Sequence, residues 1–482
     1  MRGYRWSDDP AVRRWVARRR NAESVLLLLA VALATGGHAV VGLTLEEAVP
    51  TGLPAYCGAL GGAALAAHLA VRRFARYADP LLLPVTVLLI GLGLVLIDRL
   101  DHDYALHYAP TNYQSLPLAP DQAIWALLGV GALLVTLVVI HHHRILQRYT
   151  YSGMAVAMAL LMAPALFGAD VYGAKRWITF GSLSVQPGEF VKVMIVVFFA
   201  GYLTANGDAL ALVGRRFLGF PLPRGRNAGP VLLVWAVSLV VLFYERDLGT
   251  SLIFFGVFVV MLYIATRRTG WVVLGGLMAA VGTVVVATTQ PHVKARVQAW
   301  LDPMAVFLPE DQRPPGLISD QLAESLFSFG AGGLTGSGLG QGHSHMIGFA
   351  GRSDYILATV GEELGLVGTT LVLLLYVLLA QRGFATALAV TDPFGKLLAA
   401  GLSTVVALQV FIVAGGVTGL IPLTGKALPF LAQGGSSVVA NCLLVALLIR
   451  ISDAAGRAAT QPEGNATILT AAVRDPVRPE IL

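Results

Sequence analysis

Glu189 and Lys192 stand three residues apart at the start of an apolar run, in QPGEFVKVMIVVFFAGYL. That spacing places a carboxylate and an ammonium on one helical face, close enough to pair. Gln186-Pro187 just before them suits a helix opening, because proline is tolerated in the first turn. Ionisable groups at membrane depth are costly and by default mark a functional site facing the protein interior or a water-filled cavity. The plain alternative is an interfacial ion pair that trims a helix end. Arg176 lies a short way upstream in GAKRWITFG, and three further clusters share the same character. They are YERDLGT with Asp247, RSDYILATVGEELGLVG with Asp354, Glu362 and Glu363, and GGVTGLIPLTGKALPFLAQGGSSVVAN with Lys426, Ser436 and Ser437. Broken, Gly-rich backbone at membrane depth is tolerated only where it lines a cavity or is buried in protein. The clusters therefore describe one polar cavity holding both signs of charge. Cations would suit a phosphate-bearing lipid headgroup. Carboxylates could serve as a base, or as ligands to a divalent cation such as magnesium or manganese. On these residues alone a transporter fits nearly as well as a lipid-processing enzyme. The histidines at 141–143, 343 and 345 read as interfacial and loop polarity, so no metal ligand set is assigned.

The elements that must position these groups are transmembrane helices. The chain has 482 residues, 56% hydrophobic and 13% charged, with mean hydropathy +0.71, whereas soluble domains carry about 25% charged residues. Charge sits in short clusters between long uncharged runs, and the ten-residue alternation of a membrane β-barrel is not seen. Twelve spans are expected, at 24–45, 52–72, 80–98, 123–143, 151–169, 189–205, 228–244, 249–266, 271–289, 354–380, 396–418 and 433–452. Arginines at 72, 73, 76, 144, 148, 215, 216, 224, 226, 267, 268, 382, 450 and 457 then fall in alternate loops. By the positive-inside rule those loops are cytoplasmic, with both termini inside and no nucleic-acid role for the net charge of +6. The four clusters then face outward. A basic N-terminus occupies 1–23 and a disordered cytoplasmic tail 453–482, while a long extracellular loop runs over 291–353. That loop carries ISDQLAESLFSFGAGGLTGSGLGQG, semi-apolar and able to fold back onto the membrane. Cys57 and Cys442 fall in apolar runs and read as small core residues.

Read in order, GAKRWITFG, QPGEFVKV, RDLGTSLIF, SLFSFGAGGLTGSGLGQG, SDYILATVGEELGLVG and IPLTGKALPFLAQGGSSVVAN resemble the SEDS family. These are RodA/FtsW-like cell-wall polymerases of shape, elongation, division and sporulation. The resemblance implies an all-α polytopic membrane protein, with a ten-span core at 80–452 and two additional N-terminal spans at 24–79. It implies polymerisation of lipid II, a disaccharide-pentapeptide on undecaprenyl diphosphate, at the outer face of the cytoplasmic membrane. It also implies a class B penicillin-binding protein, a transpeptidase, as partner. Position by position, Glu189 and Lys192 match the family's Gln-Pro-x-Glu-x-x-Lys, Arg176 its Arg-Trp-Ile and Asp247 its Asp-Leu-Gly-Thr. Asp354, Glu362 and Glu363 match the Asp-containing start of the next helix, and Ser436 and Ser437 its Gly-Gly-Ser-Ser. With Lys426, these are the expected substrate-binding residues.

The family's essential aspartate belongs in the long loop, in an Asp-Pro shortly before Gly-Tyr-Gln. Here WLDPMAVFLPEDQRPPGLISDQLAES has no Gly-Tyr-Gln. Asp302 keeps the proline but is far from Gln321, whereas Asp311 is nearer and lacks it. The expected catalytic base is Asp311, narrowly ahead of Asp302, with Asp320 third. Ala432-Gln433 replaces the family's Ser-Tyr before Gly-Gly-Ser-Ser. A lipid II flippase and a non-catalytic scaffold for the transpeptidase are the competing readings, the first from the cavity and the second from the altered loop.

Overall fold

The computed structural model describes residues 9–108, 116–171, 174–180, 183–211, 213–217, 220–223, 236–237, 247–314 and 319–461. Eleven helices among them are long and apolar enough to cross a membrane. They are α1 (Pro10–Leu45), α2 (Leu53–Phe74), α3 (Leu82–Tyr108), α4 (Ala119–Val139), α6 (Thr150–Phe167) and α7 (Pro187–Ala211). After these come α8 (Leu248–Thr266), α9 (Thr269–Thr289), α12 (Ile356–Ala389), α13 (Pro393–Val417) and α14 (Gly435–Ala459). The short α5 (Ile145–Arg148) joins α4 to α6. The expected span at 228–244 lies almost wholly outside the described residues, as do Glu245 and Arg246.

Local sequence explains where several helices begin. Proline occupies the first turn of α1, α2, α4 and α13, where its missing N–H costs nothing. Asp9, Asp247 and Asp392 cap α1, α8 and α13, accepting from Ala11 N at 2.7 Å, Thr250 N at 2.9 Å and Gly395 N at 2.6 Å. Burial then sorts centre from rim. In α3 and α14, 83% of the most apolar window is buried, against 22% in α6 and 28% in α1 and α9, so the former pair is central and the latter three face lipid.

Three expected boundaries are corrected. Helix α1 starts at Pro10, so most of the basic segment at 1–23 is helical and continuous with the first span. Helix α14 runs to Ala459, seven residues into the expected tail. Helix α3 continues to Tyr108, ten residues past the span expected at 80–98. It stays helical because Arg99 and Asp101 are buried and paired: Arg99 with Asp103 at 2.8 Å and with Glu363, Asp101 with Arg352. Two small sheets also stand outside an all-helical description. Strands β1 (Ala169–Val171), β2 (Ala174–Phe180) and β3 (Leu183–Val185) form an antiparallel sheet between α6 and α7. Strands β4 (Val213–Phe217) and β5 (Phe220–Pro223) form a hairpin after α7. The Trp, Ile, Thr and Phe of β2 are strand formers too few to span a membrane.

The segment 291–353 is structured. It contains α10 (Pro291–Leu301), 3-10 turns at Pro303–Phe307 and Glu310–Gln312, α11 (Gln321–Gly332) and a kinked 3-10 stretch at Ser344–Arg352. Helix α11 lies within the semi-apolar run and packs against α12. The glycines after it repair a break in that spanning helix. At Gly365 the backbone turns to φ +65°, a region that glycine alone enters freely. Leu366 N and Val367 N bond instead to Gly333 O at 2.9 Å and Leu334 O at 3.1 Å. The stranded carbonyls of Glu362 and Glu363 accept from Ser337 N at 2.9 Å and Gly338 N at 3.0 Å. All four groups of the interrupted ladder are thus satisfied within protein, as membrane depth requires.

The opposite end of the bundle is cross-tied between distant segments. Asp79 pairs with Arg382, Asp453 accepts from Tyr77 N at 2.9 Å, and Arg450 donates to Phe74 O at 2.6 Å and to Leu137 O. His143 and Asp392 meet at 2.7 Å.

Candidate functional site

Helix α7 carries Glu189 and Lys192 one turn apart on its inward face, 2.7 Å from each other. Lys426, in the irregular segment between α13 and α14, reaches the second Glu189 oxygen at 3.1 Å and Asp247 at 3.1 Å. Lys192 also donates to Gln409 Oε1 at 3.0 Å, and Gln409 Nε2 donates to Ala427 O at 2.8 Å. Two carboxylates and two ammoniums from three segments therefore close one network, each side chain 6% exposed or less. Buried ion pairs of this kind are poor stabilisers against a hydrophobic alternative, so their presence calls for another use. Gly249 allows Lys426 through, since a side chain there would meet its stem.

Around this core lie Arg176 on β2, Arg296 on α10 and Asp354 just before α12. Arg296 donates to Thr424 O at 2.9 Å, holding α10 against the segment that carries Lys426. Trp300, one turn on, donates to Gly419 O at 2.7 Å. Burial would raise the Asp247 carboxyl, but Lys426, Arg176 and the Thr250 bonds outweigh it and hold Asp247 below the usual carboxylate range. Asp354 goes the other way: burial pushes it up despite the opposing pull of Arg296, Arg176 and Lys426. Two neighbouring carboxyls are thereby shifted in opposite directions, Asp247 down and Asp354 up. With four cations (Lys192, Lys426, Arg176, Arg296) against three carboxylates (Glu189, Asp247, Asp354), the group leans positive. That suits an anion such as a diphosphate.

Ser436 accepts from Gln186 N at 2.9 Å, tying the start of α14 to the start of α7. Ser437 is bonded within its own helix by Asn441 at 3.1 Å. Glu362 and Glu363 go elsewhere. Glu362 accepts from His343 N at 2.6 Å and from Ser344 Oγ, while Glu363 pairs with Arg99. These two carboxylates pin the glycine loop to α3 and α12 and do not join the lysine network. Asp302 ends α10 two residues after the Trp300 anchor, Asp311 sits on the Glu310–Gln312 turn, and Asp320 directly precedes α11 without a side-chain capping bond. All three side chains are exposed and stand outside the buried network.

Two contributors escaped the sequence reading. Gln409 is the lone polar side chain in VVALQVFIV, which was signal enough. Arg296 gave none, because only the docking of α10 brings it over the site. A divalent cation fits this donor set poorly. Lys426 Nζ occupies the position between Glu189 and Asp247 that a cation would take. Among the described residues, no three His, Cys, Asp or Glu side chains converge on a point.

A bundle of apolar spans closing on a buried Lys–Glu–Asp network defines an integral membrane protein, and this one belongs to the FtsW/RodA/SpoVE family. The family profile, described as cell cycle protein, matches residues 80–456. Peptidoglycan glycosyltransferase RodA of Mycobacterium tuberculosis (strain ATCC 25618 / H37Rv) is 43% identical over 460 residues, 94% of this chain and 95% of its own. Stage V sporulation protein E of Bacillus subtilis (strain 168) is 30% identical over 380 residues, 78% of this chain and 96% of its own. The fold is shared with a chain from a peptidoglycan synthase complex that coordinates polymerization and crosslinking. That chain has a TM-score of 0.59 at 24% identity, with 78% of this chain and 97% of that one covered. Rod shape determining protein RodA of Thermus thermophilus gives 0.52 at 21%, covering 78% and 96%.

Proposed function

We propose that this chain polymerises lipid II into glycan strands at the outer face of the cytoplasmic membrane, beside a class B penicillin-binding protein. The observation that carries the reading is the buried network of Glu189, Lys192, Lys426 and Asp247, flanked by Arg176 and Arg296, in a chain 43% identical to a peptidoglycan glycosyltransferase. The acceptor sugar hydroxyl attacks the anomeric carbon of the growing chain. A carbon–oxygen bond forms there, the bond to the lipid diphosphate breaks, and the electron pair leaves with the diphosphate. The hydroxyl proton passes to an aspartate of the 291–353 segment. Arg176, Arg296 and Lys426 meet the charge that develops on the departing diphosphate, the work of a preorganised cationic site. Lys192 and Gln409 hold Glu189 and Lys426 in place.

Asp302 and Asp311 are the candidate bases. Asp302 ends the helix whose Arg296 and Trp300 grip the Lys426 segment, which favours it on position. The arginine-rich opposite end supports cytoplasmic termini by the positive-inside rule. An elongation role is favoured by the relatives: the RodA match covers 94% of this chain and so reaches into the first 79 residues, beyond the shared family core. Purified protein with its transpeptidase is expected to polymerise labelled lipid II. Movement of the headgroup across liposomes without polymer would replace this reading with a flippase.

A further inference from the structure

We infer that a pocket at the opposite end of the bundle binds the phosphate of an anionic lipid headgroup. A cavity of about 210 Å³ lies between the start of α1 and the end of α2. Arg13 and Arg20 face it from α1, Arg72 from α2, and Arg76 and Tyr77 from the turn before α3. Among the described residues, its lining has no carboxylate. Two acids close by are engaged: Glu23 by Arg20 at 2.5 Å and His68 at 2.6 Å, and Asp79 by Arg382.

Arginines at helix ends ordinarily set orientation and need nothing more. Here that explanation leaves a remainder. Arg20 is 1% exposed, and its guanidinium is held by Glu23 and by Ala78 O at 2.5 Å. Its Nε has no hydrogen-bond partner among the described residues. Arg72 is steadied by Asn21 at 3.2 Å, and the Arg76 guanidinium lies 5.0 Å from the Tyr77 ring centre. Four guanidiniums from three segments thus line one concavity, and the exposed Arg72 and Arg76 bring like charge together at its mouth, which an anion would relieve. Guanidinium forks match phosphate oxygens, and basic pockets between helices at a membrane face take phosphate headgroups. The depth selects a lipid over a soluble phosphate. Trp15 stacks with Arg19 at 4.5 Å on the first turns of α1, and the exposed Val25, Leu28 and Leu29 follow directly. Indole and arginine at that level mark the headgroup zone, with acyl chains beginning just beyond. A bound headgroup would clasp α1 and α2 to the core at Tyr77 and Ala78. The site depends on neither the chemistry nor the sidedness proposed above.

The test uses delipidated full-length protein in neutral detergent, titrated separately with dioleoylphosphatidylglycerol, dioleoylphosphatidylcholine and inorganic phosphate. Retention by native mass spectrometry and thermal melting are followed together. Saturable phosphatidylglycerol binding with a raised melting temperature is expected, and neither from the other two ligands. Arg72→Gln with Arg76→Gln, both exposed, should weaken that binding on the order of tenfold or more. Arg73→Gln removes the same charge from the same helix end but does not line the pocket, and should leave binding unchanged. Equal binding of phosphatidylcholine, or an equal loss in Arg73→Gln, overturns the site. Equal binding of inorganic phosphate overturns the lipid assignment in favour of a soluble anion.

Discussion

Lys426 is bound by two carboxylates that the chain brings from different helices, Glu189 and Asp247, each at 3.1 Å. Removing one partner of a buried ion pair leaves an uncompensated charge, a loss of about 3–5 kcal/mol. Lys426→Met is therefore expected to lower the melting temperature clearly. Combining it with Glu189→Gln and Asp247→Asn should recover part of the loss, which differential scanning fluorimetry would register. The loop aspartates behave differently. Both are exposed, so Asp302→Ala and Asp311→Ala should shift stability by no more than about 0.5 kcal/mol. At least one of them should end polymer formation on gels of labelled glycan. If both polymerise normally, the base lies elsewhere. Legibility at this scale followed distance along the chain. Glu189 and Lys192 share a face by their spacing, and their pairing could be read directly. The partnership of Lys426 with Asp247, and the departure of Glu362 and Glu363 to Arg99 and the glycine loop, depend on tertiary packing that no local pattern encodes.

Among the elements, α12 and the loop at 333–338 form a unit. The helix breaks at Gly365, and the loop accepts and donates the bonds that the break releases. Gly336 sits at φ +87° against the Glu363 carbonyl, leaving no room for a side chain. Gly336→Ala should cost about 1–3 kcal/mol from backbone strain alone. It should also speed hydrogen exchange at Leu366 and Val367, whose N–H groups bond to that loop. Unchanged exchange would mean that the loop does not repair the ladder. The glycine-rich GAGGLTGSGLGQG was legible in the sequence, but not what it would pair with. Helix boundaries failed for a related reason. Arg99 and Asp101 lie past the end of the expected span, and buried partners on other elements let α3 carry them.

At the scale of the whole molecule, the two ends of the bundle do different work. One end holds the charged site, and the other ties α1, α2, α12 and α14 together through Arg20, Asp79, Arg382, Arg450 and Asp453. The family core at 80–456 excludes α1 and α2, so their attachment through Glu23, Arg20 and His68 is a structural addition. Glu23→Gln should destabilise the protein by about 3–5 kcal/mol, while polymer made per folded molecule stays as in the parent. Hydropathy made the multi-span architecture readable from the start. The number of spans buried at its centre, and which ones, required the packed molecule.

If the proposed function holds, polymerisation depends on the buried lysine–carboxylate network. The direct measurement is synthesis of glycan polymer from labelled lipid II by purified protein with its transpeptidase, comparing the parent with Lys426→Met and Glu189→Gln at equal amounts of folded protein. Long polymer is expected from the parent and at least a hundredfold less from either variant, the scale of losing a preorganised charge at the reacting centre. Polymer from both variants at the parent rate would contradict that dependence.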